Sequence, residues 1–352
     1  MKKLMIWSAF LGGSLLAVAL SVVIWFGMNR VVVIADTGSV SDLTGVMDFE
    51  ELSGHELPGR ELSLQKGIYN SGDEEDKSIR IPMESAIGPE NITMENQYMD
   101  RRLVMYIRGA TGFFYDNNII TGYVDPVQAA SYTVQSEGVT LYLQLSELYE
   151  YESILDKGYL QINLYKPSER YEKVVVLDTE VSDDLDEQEK AALYKIEEKL
   201  QALLEAEGIR VYSTSNQSKD TGTESKLALI EQTKAKLYVG LMFDKDEDSE
   251  KFGSYVCYNS LYFRPWMTNG SFADCMEKEL VTAISGKAAG LVELEDGLLE
   301  ELSIPAVIVC PGYVSHETEG RLLLKESYQD KIAEGLFAGI NKTFAELEKN
   351  QQ

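Results

Sequence analysis

Ring-nitrogen and thiol chemistry is scarce in this chain, with 2 His and 3 Cys in 352 residues. His55 falls in a glycine-rich stretch and His316 follows the run CPGYVS. Two imidazoles are too few for a His-rich metal site, and each fits a loop or surface role. Cys310 ends the apolar run IPAVIVC. With His316 six residues on, it could pair as nucleophile and base, but only through a tight fold-back. Acidic neighbours would raise rather than lower the thiol pKa, so a buried structural cysteine is the competing reading. Cys257 and Cys275 could bridge a strand and a helix; an odd cysteine count leaves at least one thiol unpaired within the chain. Two acidic runs in the C-terminal half bear on the same question. DLDEQE (184–189) leads into a helix, where carboxylates favourably meet the macrodipole. DKDEDSE (244–250) spaces Asp at 244, 246 and 248. It lacks the Gly at the sixth position and the Glu at the twelfth that an EF-hand loop needs, so it reads as a solvated loop.

The elements that must position these groups are legible in outline. At 44% hydrophobic and 26% charged, the composition is globular. The length suggests about two domains at roughly 100–200 residues each. Residues 4–28, LMIWSAFLGGSLLAVALSVVIWFGM, carry no charge and are long enough to cross a bilayer, for which roughly 20 residues suffice. Lys2 and Lys3 precede this stretch and Arg30 follows it. Its A-x-A triplet, Ala17-Val18-Ala19, lies inside the apolar run rather than after it, unlike a signal-peptide cleavage site. The expectation is an uncleaved transmembrane helix over 4–28 with a cytoplasmic stub at 1–3. That places the protein in the cell membrane, single-pass, with its C-terminal part extracytoplasmic; a cleaved signal peptide is the alternative. All 58 acidic residues but only 29 of the 32 basic ones follow Arg30. A formal net charge of −26 repels phosphates and argues against nucleic acid as a partner.

Residues 29–98 read as a linker or irregular segment, with VVVIAD as one possible strand and the acidic run GDEEDK at 72–77. Residues 99–168 read as a small β-rich domain. The runs RLVMYIRG, ASYTVQSEG, VTLYLQLS and YLQINLY are short, aromatic and β-branched, with partial period-2 alternation. KPSERYEK (166–173) reads as a connection. Residues 172–349 then alternate strands and helices. VVVLD (174–178) is an apolar strand and 186–208 a helix capped by Gly208. RVYST is a strand, 223–235 a helix, KLYVGLMFD and GSYVCYN strands, 272–290 a helix, IPAVIVCPG a strand and 326–349 a last helix. The fold class is therefore α/β, a mostly parallel sheet flanked by helices.

Three blocks of this α/β region resemble the zinc-dependent N-acetylmuramoyl-L-alanine amidases, the amidase-3 type of peptidoglycan amidase. They are VVVLDTEVSD with the helix and RVYSTS strand after it, SKLALIEQTKAKLYVGLMFD, and IPAVIVCPGYVSHETEGRLLLKESYQDKIAEGLFAGI. The last is the most specific, matching at Pro305, Ala306, Val307, Gly312, Tyr313, Ser315 and Glu319. The β-rich region resembles, more loosely, the wall-targeting domains that often precede such amidases. The resemblance implies an amidase-like fold, a zinc cofactor and a cell-wall substrate. It also assigns positions. The two family histidine ligands fall on Val181 and Met242, the glutamate ligand on Glu189 and the general base on Cys310; Asp178 of the family's turn is kept. Only Glu189 preserves the family's chemistry, and Val and Met cannot replace imidazole toward zinc. No cofactor is therefore expected. Glu180, Glu189, Asp244 and Cys310 could still converge at the carboxyl edge of the sheet, where an all-oxygen Ca²⁺ or Mg²⁺ site is conceivable. Asp178, Glu180 and Asp244 are the expected cleft lining. The functional expectation is a membrane-anchored bacterial pseudoenzyme that binds peptidoglycan or a cell-wall protein partner. The alternative is an active amidase, a hydrolase of the muramoyl-L-alanine amide bond, with a displaced metal site.

Overall fold

The computed structural model describes residues 31–32, 57–66, 78–215, 222–295 and 297–350. The expected stub, the 4–28 span and His55 lie outside these. Among the described residues no helix is long and apolar enough to cross a membrane. The chain divides into one unit ending at Tyr165 and a second beginning at Lys166.

Two antiparallel-rich sheets make up the first unit. Its elements are β1 (Val31–Val32), β2 (Arg60–Glu61), β3 (Leu64–Lys66), β4 (Ser78–Pro82), β5 (Ile92–Gln97), β6 (Arg102–Arg108), α1 (Gly112–Asp116), β7 (Ile120–Gly122), β8 (Val127–Val134), β9 (Gly138–Leu145), β10 (Glu150–Asp156) and β11 (Tyr159–Tyr165). One sheet runs β1-β10-β11-β4-β7-β3 and the other β2-β8-β9-β6-β5. The linker expected over 29–98 is corrected here. β4 pairs with β11, placing Ile81 opposite Leu160, and β5 pairs with β6, placing Ile92 opposite Ile107. Ile79, Ile81 and Met94 are fully buried. Each of these strands is short, and the glycines and the acidic run around them outweigh a two-residue apolar alternation in any window-based reading.

The second unit carries the candidate site. Its elements are α2 (Pro167–Arg170), β12 (Val174–Glu180), α3 (Glu187–Ala206), β13 (Arg210–Ser213), α4 (Thr223–Thr233), β14 (Leu237–Met242), β15 (Ser254–Tyr258), a small hairpin of β16 (Phe263–Arg264) and β17 (Met267–Thr268), α5 (Asn269–Ile284), β18 (Ala288–Glu293), α6 (Gly297–Glu301), β19 (Ala306–Cys310), α7 (Glu317–Leu323) and α8 (Glu326–Lys349). The sheet runs β13-β12-β14-β19-β15-β18, with all neighbours parallel except β15 against β19. Val174 through Thr179 of β12 are all buried, as a central strand covered by helices on both faces requires. α3 starts where Asp186 accepts the N–H groups of Gln188 and Glu189, while Glu189 reaches back to the N–H of Asp186. This reciprocal cap explains why the acidic run opens a helix.

The helix expected over 272–290 stops at Ile284, and β18 follows as the edge strand. Ser285 takes a left-handed backbone (φ 52°), closing α5 before the small residues that follow. α5 and α8 pack closely because Gly335 has no side chain. A Cβ there would lie 2.8 Å from the Leu280 Cα.

Candidate functional site

β12 and β14 are parallel neighbours, so their carboxyl ends finish side by side, with Glu180 level with Met242. A cleft of about 460 Å³ opens there. Its walls include Asp178, Glu180 and Val181 from the β12 end, Met242 from β14, Lys226 from the first turn of α4, and Leu298 from α6. An open α/β sheet binds ligands at this edge.

Asp178 forms the cleft's polar floor. It is 2% exposed and accepts hydrogen bonds from Thr214 Oγ1, Tyr238 Oη and, at 2.6 Å, the Lys226 ammonium. A buried carboxylate survives only with such partners. On the other side of β12, Glu197 of α3 accepts from Thr179 and Ser215 hydroxyls. Burial is the largest influence on Glu197 and pushes its pKa up, against the hydrogen bonds from serine and threonine that lower it. Neither Lys226 nor Glu197 stands out in the sequence. Lys226 becomes a site residue only through Asp178, a partner far along the chain, and Glu197 braces β12 from outside the cleft.

Glu189 does not line the cleft. Its carboxylate, 12% exposed, is paired with the Lys245 ammonium at 2.9 Å and also accepts the Asp186 N–H at 2.8 Å. Lys245 additionally donates to the carbonyl of Asp184. Asp244, expected in the cleft lining, is not among the lining residues. It bridges to Tyr313 and accepts the Tyr255 hydroxyl at 2.7 Å. This engagement corrects its expected role. Cys310 is 0% exposed, and its thiol donates to the Gly312 carbonyl at 3.3 Å. Burial pushes its pKa well above that of an ordinary thiol, and the Asp244 carboxylate adds to the shift. That environment suits a structural cysteine and opposes a nucleophile. Cys257 and Cys275 are both free thiols.

His316 serves as the N-cap of α7. Its Nδ1 accepts the Glu319 N–H at 3.2 Å, and its ring stacks on Phe252 at 5.1 Å. Glu319 in turn accepts the N–H of Tyr313 at 2.7 Å and that of Gly253 at 3.1 Å. Gly312 makes room for this carboxylate, since a Cβ there would meet it at 2.5 Å. Replacing Glu319 by Ala should therefore cost about 1–3 kcal/mol by leaving two N–H groups without this acceptor. Urea unfolding checks it, and an unchanged midpoint would remove Glu319 from the loop's framework. The 244–250 run is a chain of Asx turns. Asp246 accepts the Asp248 N–H, Asp248 accepts the Glu250 N–H, and Lys251 pairs with Asp246 at 2.6 Å. Asp246 and Asp248 cap local backbone, and among the described residues the run forms no group that could hold a metal ion.

Zinc would need three donor side chains around one open position. Val181 offers none, and the thioether of Met242 is not among the Cys, His, Asp and Glu donors that zinc sites use. The Glu189 oxygen is already held by an ammonium and an amide. Among the described residues no three His, Cys, Asp or Glu side chains gather in a way that could hold a metal ion. The positions assigned by the resemblance do not fit zinc, and among the described residues Glu180, Glu189, Asp244 and Cys310 do not gather into the all-oxygen cation site conceivable from the sequence.

Residues 180–342 match the family described as N-acetylmuramoyl-L-alanine amidase. The germination-specific N-acetylmuramoyl-L-alanine amidase of Bacillus subtilis (strain 168) is 26% identical over 160 residues, 45% of this chain. The match spans 65% of that relative's length. Two solved structures align over 49% of this chain and 98% of their own, each at 22% identity. One is the catalytic domain of CwlV, an N-acetylmuramoyl-L-alanine amidase from Bacillus (Paenibacillus) polymyxa var. colistinus, with a TM-score of 0.44. The other is the CwlD amidase from Clostridioides difficile in complex with the GerS lipoprotein, with a TM-score of 0.41. Over its C-terminal unit, then, this chain resembles the N-acetylmuramoyl-L-alanine amidases, a family of peptidoglycan amidases.

Proposed function

We propose that this chain is a membrane-anchored, extracytoplasmic amidase-like protein that does not cleave the muramoyl-L-alanine bond and instead binds peptidoglycan through its cleft. One observation carries the reading. At the sheet edge where hydrolysis would need imidazoles and a base, the chain places Val181 and Met242, and the base position is Cys310 at 0% exposure. A group sealed from solvent cannot take a proton from an attacking water. The cleft itself persists, with a polar floor at Asp178 and Lys226 and apolar walls at Val181, Met242 and Leu298. A ligand pocket of this size with a few placed polar groups is the ordinary form of a binding site. The uncharged stretch 4–28 supports the anchor, and the acidity beyond it suits cationic amino groups in the wall.

The test uses the full-length protein in detergent. Zinc is measured per chain, and peptide release is followed from muropeptides. The expected result is substoichiometric zinc and no release. Stoichiometric zinc or clear cleavage would instead establish an active amidase with a displaced metal site. Cosedimentation with purified sacculi is the second arm. Retention supports the peptidoglycan ligand, and its absence would replace that ligand with a wall-remodelling protein partner.

A further inference from the structure

Lys245 occupies an unusual place. It follows β14 by three residues, on the acidic loop, yet its ammonium crosses to the segment that links β12 to α3. There it meets two oxygens, the Asp184 carbonyl and Glu189 Oε2. The same Glu189 oxygen accepts the Asp186 N–H that closes the α3 cap. One cation is thus held by a carboxylate and a main-chain carbonyl, the ligand types that hold a hard metal ion. An ammonium carries three donors and one positive charge, so it can satisfy both oxygens at once. Two further lysines each pair with a carboxylate. Lys226 pairs with Asp178 and Lys251 with Asp246, each at 2.6 Å.

We infer that Lys245 is a built-in cation. It fastens the 181–186 connection and the head of α3 to the end of β14, and it claims Glu189, the one carboxylate left at the positions the resemblance assigns to metal binding. The sheet edge is then organised by the chain's own charge rather than by a metal ion. Lys245 is a positioning residue, and this role stands whether or not the cleft binds peptidoglycan.

Hydrogen exchange on the full-length protein tests the fastening. Lys245→Met should speed exchange of amides 182–189 by about fivefold, the scale of one partly exposed ion pair. Glu189→Gln keeps the cap, because glutamine can still accept the Asp186 N–H, and should give the same acceleration. The double variant should add nothing further, since both changes break one link. Unchanged exchange in Lys245→Met, or full additivity in the double variant, overturns the inference. Zinc chloride titrations read the claim on Glu189. In a Val181→His/Met242→His background, adding Lys245→Met should tighten zinc binding roughly tenfold, as expected when a competing cation is removed. Equal zinc affinity with and without Lys245 would show that it does not hold the carboxylate against a metal.

Discussion

Asp178→Ala is expected to lower the stability of the C-terminal unit by about 3–5 kcal/mol, the usual cost of breaking a buried ion pair from one side. The carboxylate is 2% exposed and the Lys226 side chain 15% exposed, so neither is well screened by water. Removing it strands the ammonium in the cleft floor and takes an acceptor from Thr214 and Tyr238, both buried. The three partners come from α4, β14 and the end of β13, so one substitution loosens the joint between three elements. Denaturant unfolding followed by circular dichroism measures the effect. A loss below about 1 kcal/mol would mean that water already enters the network. Replacing both partners, Asp178→Leu with Lys226→Met, should recover the share of the loss that comes from the stranded ammonium, because an apolar pair of similar volume often substitutes for a buried ion pair at little cost, while the share from the Thr214 and Tyr238 hydroxyls remains.

Installing the resembling family's base should fail for the same physical reason. Cys310→Glu puts a longer, ionisable group where exposure is 0% and where the thiol already touches the Gly312 carbonyl. Tyr255 lies opposite in the strand register, and its hydroxyl is committed to Asp244. A second carboxylate must therefore be buried near a first. The expected outcome is a loss of about 3–5 kcal/mol and no gain of amide hydrolysis. Cys310→Ala, which only removes the sulfur, should cost far less. Thermal unfolding of the two variants side by side decides the matter. A Cys310→Glu protein as stable as the wild type would show that this strand end opens to water, and would weaken the non-catalytic reading.

Several features are legible in the sequence alone. The strand and helix alternation from Val174 onward, the Pro305–Gly312 block and the absence of imidazole at Val181 and Met242 all follow from residue type and order. Local pattern sets them, and no partner is needed to see them. Other features depend on which strands lie next to each other. β4 and β5 are not evident from local pattern because five- and six-residue strands gain their stability from β11 and β6, not from their own sequence. Lys287, Ala288 and Ala289 suit the tail of a helix by local pattern alone. The left-handed turn at Ser285 and pairing with β15 decide otherwise.

The candidate site divides along the same line. The sequence by itself determined what the site lacks, since a missing donor is a missing atom wherever the chain runs. Only the tertiary structure decided what replaces it. Lys226 meets Asp178 across 48 residues, and Lys245 reaches Glu189 because β14 lies beside β12 in a parallel sheet. Whether a carboxylate is a ligand, a cap or half of an ion pair depends on the charge and burial around it, and those are set by strand order rather than by sequence distance.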